Sequence, residues 1–462
     1  MNGSSDTTGE TPSGETQASA AQPGAAQSSE TESNGSVPQT DPPLGVSISV
    51  AAEVPPHSGS AALTEVVLKP RRAQPFYGRH PWVFAGAIAR VTTSDGREPA
   101  AGEVVRLVTS DRRFVAYGLL NPVSRIQVRL YSWDESSPVD AELIHRLVER
   151  AVTARRRLFD LKSEATGCRL IFSESDGLSG LVVDFYGGYL LVQFTSLGLY
   201  RLRDAVIEAL MREVTPRGIW LRTEKGMREA EGLEVADGLI AGKEPPRPLF
   251  IEEHGIQYGV DVQQGQKTGF FLDQRLNRLA VSRYVRGDRV LDAFCYAGGF
   301  GITALVKGAA AHVTGIDSSE SALRLAAANA ELNSVADRCR WVRGDVRDVI
   351  SEMAAQGIVF DTVVIDPPRM ARTRSGVDRA VKGYTNLNLT ALTVLKPGGT
   401  LVTCSCSGLV SRSQFQEMLA DVARQSGRDI QVLESLGQPA DHPVSVTCSE
   451  TEYLKTFICR VF

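Results

Sequence analysis

The chain has 462 residues, 42% of them hydrophobic and 23% charged, with a formal net charge of −4 at pH 7. That length exceeds what one hydrophobic core usually supports, so two or three folded domains are expected; no long apolar run offers a membrane span, so a soluble, cytoplasmic protein is expected. Seven cysteines, odd in number and without a CxxC pair, point to neither a disulfide framework nor a zinc site, and no metal is expected.

From Met1 to about Ser60 the chain is Ser, Thr, Gly, Gln, Pro and Ala with seven acidic residues, no Lys or Arg and no aromatic residue. Such a segment buries too little apolar surface to offset its ordering entropy, so residues 1–60 are expected to be a disordered tail. It has neither the basic start and apolar stretch of a signal peptide nor the arginines of a transit peptide. With those seven acids set aside, 50 basic residues face 47 acidic ones, a balance of +3.

Residues 63–135 are expected to form a small β-barrel-like domain, from short alternating runs such as Glu103–Val108 and Ile126–Tyr131 broken by Gly and Pro. Leu63 to Trp133 carries eleven Lys or Arg against five acidic residues. The basic residues include Arg71, Arg72, Arg79, Arg112, Arg113, Arg125 and Arg129. Phe76, Tyr77, Trp82, Phe84 and Tyr117 interleave with them, a pattern suited to a nucleic-acid backbone, whereas on the plainer reading the cations are solvated and the rings are core. Residues 140–245 read as an α+β domain, with a basic amphipathic helix over Ala141–Leu161 followed by strand, strand, helix and strand between Leu178 and Arg222. Gly242–Pro248 reads as a linker.

Within 250–462, strands near 289–293, 312–316, 340–343, 361–365 and 399–403 alternate with helical patterns, and two more follow near 430–434 and 454–461. This predicts a parallel sheet with helices on both faces and a ligand at the carboxyl ends of the strands. Asp292, Asp317, Asp345, Asp366 and the run Cys404–Gly408 all fall at those ends. The glycines of Ala293–Gly301 allow close approach of backbone to a cofactor, and Asp317 is placed to hold ribose hydroxyls. Gly299-x-Gly301-x-x-Ala304 also fits the dinucleotide fingerprint, so a nicotinamide dehydrogenase is the first rival. Asp292, Gly344-Asp345 and Asp366-Pro367-Pro368 are not needed by a dehydrogenase and make the pattern of a class I S-adenosylmethionine methyltransferase.

The run Asp292-Ala-Phe-Cys-Tyr-Ala-Gly-Gly-Phe-Gly301 resembles the ribosomal RNA large subunit methyltransferase I family. So do Gly265–Arg275, Glu252–Gly255, Arg379–Asn388, Thr403–Leu409, Ala440–Pro443 and Tyr453-Leu-Lys455. His80-Pro-Trp-Val-Phe-Ala-Gly86 is similar to the start of that family's amino-terminal PUA domain, so the resemblance spans roughly Leu63 to Phe462. It implies a PUA-like β domain, an RNA-recognition-like α+β middle domain and a Rossmann-like catalytic domain. The implied activity is 5-methylation of one cytosine in 23S ribosomal RNA with S-adenosylmethionine. The implied partner is that RNA; a homodimer is kept open, and no membrane partner is expected from the lack of a long apolar run.

The candidate cofactor residues are Asp292, Phe294, Tyr296, Gly298, Asp317, Asp345 and Arg275. Lys267, Pro367, Pro368 and Arg369 are the candidate substrate residues. C5 of cytosine is a weak nucleophile, so a thiolate must first add at C6. Cys406 matches the family position for that thiol, with Cys404 as the nearby decoy, and Asp366 in its acid form is placed to meet N3. The family often has Lys where this chain has Arg369, which retains the positive charge. The stretch Asp366–Arg374 holds no second cysteine, so a one-cysteine mechanism is implied. A methyltransferase for another RNA base and a noncatalytic ribosome-associated RNA binder are the alternatives; a binder would require neither Cys406 nor Asp366.

Overall fold

The computed structural model describes residues 64–223, 226–263, 269–286 and 288–462. The expected tail and Lys267 lie outside the described residues. Thr64–Ser132 builds a six-stranded sheet in the order Trp82–Phe84, Ile126–Ser132, Phe114–Leu120, Val104–Val108, Thr64–Leu68, Ile88–Thr92. Alternating apolar residues fill one side of it with Val66, Leu68, Val105, Leu107, Val128 and Leu130.

The predicted amphipathic helix spans Ala141–Arg156, its amino end capped by the Asp140 side chain, which accepts the Leu143 N–H. It ends five residues earlier than its pattern suggested, because Phe159 leaves the helical path and packs under the guanidinium of Arg275, 4.7 Å away. A five-stranded sheet follows in the order Gly238–Gly242, Gly218–Leu221, Tyr189–Phe194, Leu181–Tyr186, Gly167–Phe172. Its core is continuous with Val104, Tyr117, Leu119 and Tyr131 of the first sheet. A hairpin, Leu249–Glu253 with Ile256–Val260, leads into the last sheet.

That sheet has seven strands: β1 Arg289–Ala293, β2 His312–Asp317, β3 Cys339–Arg343, β4 Phe360–Ile365, β5 Leu395–Ser405, β6 Ile430–Leu436 and β7 Lys455–Val461. Their spatial order is β3-β2-β1-β4-β5-β7-β6. The first five run parallel, as expected from their alternation with helices. The expectation of an all-parallel sheet fails at its end. Only a 3₁₀ turn, Ser449–Thr451, and no α-helix links β6 to β7, and β7 enters antiparallel between β5 and β6. Helices α1 Arg275–Ser282, α2 Gly299–Val306 and α3 Glu320–Leu332 cover one face, and α4 Val346–Ala355, α5 Val377–Leu392 and α6 Arg412–Ser426 the other.

Among the described residues no helix is long and apolar enough to cross a membrane.

Candidate active site

β1 ends in a loop with an unusual backbone. Phe294 (φ +63°) and Tyr296 (φ +47°) both adopt the left-handed conformation, as does Gly298 (φ +78°). For residues with a Cβ this is costly and persists only where surroundings enforce it. Here the Tyr296 N–H donates to Asp317 Oδ2 (3.0 Å), the Cys295 N–H to the Ile316 carbonyl (3.0 Å), and the Tyr296 hydroxyl to the Gly269 carbonyl (3.0 Å). Asp317 Oδ1 accepts the Ser319 N–H at 2.8 Å. Gly298 is required sterically as well, because a Cβ there would lie 2.8 Å from the Trp341 ring.

The loop forms one wall of a cleft of about 230 Å³ at the carboxyl ends of β1, β4 and β5. Phe294, Tyr296, Asp317, Asp366, Pro367, Pro368, Arg369 and Cys406 all line it, so eight of the residues singled out above are brought together. Cys406 directly follows β5, and its Sγ lies 3.9 Å from the Pro367 carbonyl. Cys404, two residues earlier, points into the core under α1, wholly buried, and takes a hydrogen bond from Thr456 Oγ1 at 3.3 Å. Burial pushes its thiol well above the ordinary range, which leaves it inert.

Four expected cofactor residues stand behind or beside the cleft. Asp292 is buried beneath it and accepts the Gly301 N–H at 2.8 Å. Burial raises its carboxyl to about 7, helped by the neighbouring Asp366 and Asp317 charges. Gly298 shapes the turn, and Asp345 is an exposed helix cap that accepts the Arg347 N–H at 2.9 Å. Arg275 is the clearest correction. It faces away from the cleft into a buried network, 3.4 Å from Glu253 and 3.6 Å from Asp441. Glu253 also receives Arg278 at 2.5 Å.

Several lining or supporting residues were not singled out. Gln274, one position before Arg275, donates its Nε2 to Asp366 Oδ2 at 3.1 Å and is itself held at Oε1 by Asn277 (2.6 Å). Arg278 lines the cleft and donates to the Phe271 carbonyl at 3.0 Å. The Ser407 hydroxyl is a hub, accepting the N–H groups of Met370 and Ala371 (3.1 Å each) and meeting the Tyr384 hydroxyl at 2.9 Å. It thereby ties the segment after Asp366-Pro-Pro to the segment carrying Cys406. The segments Gly265–Arg275 and Arg379–Asn388, both part of the resemblance, were the available signal for Gln274 and Tyr384.

On the first sheet, Arg71, Arg72, Arg79 and Arg125 are exposed, and Tyr77 and Phe84 lie beside the first three in sequence at 47% and 45% exposure. Arg129 is different: it is buried and bridged to Glu174 and Glu231, 3.2 Å from each. Arg112 and Arg113 are paired with Glu65 and Asp111. Phe76 and Tyr117 are core.

Residues 66–133 match the PUA-like domain family, and residues 234–457 the S-adenosylmethionine-dependent methyltransferase family. Proteins named ribosomal RNA large subunit methyltransferase I are similar over nearly their whole length. The Photobacterium profundum protein is 38% identical over 86% of this chain and 99% of its own. The Klebsiella pneumoniae protein is 40% identical over 86% and 98%, and an Escherichia coli one 40% over 86% and 99%. In fold, the chain matches a protein described as a methyltransferase and solved with S-adenosylhomocysteine (TM-score 0.74, 22% identity, 86% of this chain and 99% of that one). A Streptococcus mutans protein described as a methyltransferase gives a TM-score of 0.73 at 21% identity, over 86% of this chain and 99% of that one.

Proposed function

The chain belongs to the ribosomal RNA large subunit methyltransferase I family, an S-adenosylmethionine-dependent group, and from that premise we propose that it methylates C5 of a cytosine in 23S ribosomal RNA through a covalent adduct on Cys406. One observation carries the reading. The half-buried thiol of Cys406 sits 3.9 Å from the carbonyl of Pro367, beside Asp366, in the same cleft as the loop from β1, while Cys404 is sealed in the core.

The donor set of the cleft suits the cofactor. Asp317, with both oxygens already fixed by backbone N–H groups, offers its remaining lone pairs to ribose hydroxyls, and Phe271, Phe294 and Tyr296 offer apolar walls. Bound there, S-adenosylmethionine supplies an activated methyl group. The residues of the chain do the rest. The target cytosine leaves its stack, the Cys406 thiolate adds to C6, and the displaced ring electrons reach N3, where Asp366 in its acid form delivers a proton. Gln274, on Asp366 Oδ2, fixes which way that carboxyl faces. Once C5 is methylated, its proton passes to solvent, the electrons of that C–H bond form C5=C6, the C6–S bond breaks and Cys406 leaves as thiolate, while N3 returns its proton to Asp366. The exposed arginines and rings of the PUA-like sheet supply backbone contacts to the RNA.

RNA with 5-fluorocytosine at the target tests the reading, because the C5 substituent cannot leave as a proton. A denaturation-resistant protein–RNA complex should accumulate. Cys406→Ala should abolish both complex and turnover, with Cys404→Ala losing much less. Full methylation by Cys406→Ala refutes the nucleophile, and death of Cys404→Ala alone exchanges the two thiols.

A further inference from the structure

Lys455 opens β7 and is 2% exposed. Both of its hydrogen bonds end on backbone carbonyls rather than on a carboxylate, Ser407 at 2.7 Å and Tyr453 at 2.8 Å. Glu452, which bears on it electrostatically, is bridged to Arg412 at 3.1 Å. An ammonium buried on neutral dipoles is expensive to keep and calls for a function or a counter-charge. The strand register places Lys455 opposite Ser405, and its stronger contact is to the residue just after Cys406. The preceding residue, Leu454, lines the cleft together with Cys406. The ammonium therefore lies directly behind the wall that presents the thiol.

We propose that Lys455 is a positioning residue for the nucleophile: its buried ammonium fixes the Cys406–Ser407 turn and favours the thiolate of Cys406. The inference rests on the reading of Cys406 as the nucleophile. Burial lowers Lys455 to about 8, and Cys406 acts in the opposite sense, so the side chain is mostly protonated at pH 7. The other groups that bear on this pair are Cys404 from β5, Tyr384 from α5, Tyr453 and the bridged Glu452 from the segment before β7, Arg412 from α6, Arg369 beyond Asp366-Pro-Pro, and Asp366 across the cleft. Both phenols are pushed up by burial and remain neutral near pH 7. Arg369 is exposed, and its charge is screened by solvent. Asp366 opposes ionisation of the thiol unless it holds its proton, which is the form the proposed function gives it. Lys455 is thus the desolvated cation of the group.

The test is the pH dependence of iodoacetamide alkylation at Cys406, followed by peptide mass spectrometry on the full chain without RNA. In the wild type the midpoint should fall below the free-thiol value of about 8.5. In Lys455→Met and Lys455→Gln it should rise by about one unit or more, which is about a tenfold slower reaction at pH 7. Methylation by either variant should fall similarly at pH 7 and recover as the pH passes the new midpoint. A wild-type midpoint at or above 8.5 overturns the proposal without any variant. So do unchanged midpoints in the variants, or a methylation loss equal at every pH, which mark a purely structural lysine. If instead Cys406→Ala still methylates, the nucleophile reading fails while the alkylation midpoints still report the coupling.

Discussion

Replacing Asp317 by Ala should weaken binding of S-adenosylhomocysteine by roughly 1.5–3 kcal/mol, on the order of ten- to a hundredfold or more. The figure follows from what the carboxylate does at the end of β2. Its two oxygens accept the N–H groups of Tyr296 (3.0 Å) and Ser319 (2.8 Å), and its partly exposed position in the cleft leaves lone pairs for two hydroxyls. Charge-assisted bonds at a part-exposed site belong at the low end of their range, about 1.5 kcal/mol each, so one or two of them give that total. The substitution also releases one restraint on a loop that holds Phe294 and Tyr296 at positive φ, which costs about 1–3 kcal/mol per residue to maintain. Calorimetry on wild type, Asp317→Asn and Asp317→Ala, paired with urea unfolding of each, separates the two effects. The Asn variant keeps an acceptor and should fall between the others. Unchanged affinity in Asp317→Ala removes the residue from the site. Equal affinity losses in both variants that track equal stability losses would show that the residue acts on the loop alone.

Asp292→Asn should make stability less dependent on pH. The wild-type carboxyl is raised to about 7 in the fold, from 3.8 when unfolded, so the folded state holds the extra proton between those values and loses stability as the pH rises through that window. Relative to wild type, the variant should gain up to about 3 kcal/mol between pH 5 and pH 8, at about 1.4 per unit over the two units up to 7. Urea curves giving the same difference at both pH values would contradict this. On the PUA-like sheet, Arg71→Ala/Arg72→Ala/Arg79→Ala should flatten the salt dependence of RNA binding by up to about three in log–log slope, with the fold intact. An unchanged slope makes those arginines solvated surface. Arg129→Ala is the contrast, since it strips the cation from the buried Glu231 and the partly buried Glu174 and should appear in unfolding curves first.

What could be read from the sequence was the chemistry that is local in the chain. Asp292 through Gly301, Asp317, Asp366-Pro-Pro and Cys406 each sit where a strand ends, so period and residue type located them without knowledge of packing. The difference between Gln274 and Arg275 was not local. A 3₁₀ turn over Leu272–Gln274 precedes α1, and it aims Gln274 at Asp366 while Arg275, one position on, swings to Glu253 and Asp441. The segment was recognised, and charge pointed to Arg275, which only tertiary structure buries away from the cleft. Tyr453-Leu-Lys455 was noticed without a role for the same reason: its partner, Ser407, is 48 residues away. Arg129 counted as basic surface until Glu174 and Glu231, from the middle of the chain, closed over it. The antiparallel β7 was invisible to periodicity, which reports burial and not direction.

The position of β7 also governs the order in which this domain can be completed. β6 is made before β7, yet its partner in the sheet is β7, and β7 in turn must slot against β5. A chain synthesised only through Leu436 therefore has two strand edges waiting for the same missing segment, a non-local pairing that is slow to form and prone to mispair. Lys455 arrives with that segment. If it charges the thiol as proposed, then a half-made domain carries Cys406 as an ordinary, sluggish thiol, and its reactivity switches on at the moment the sheet closes.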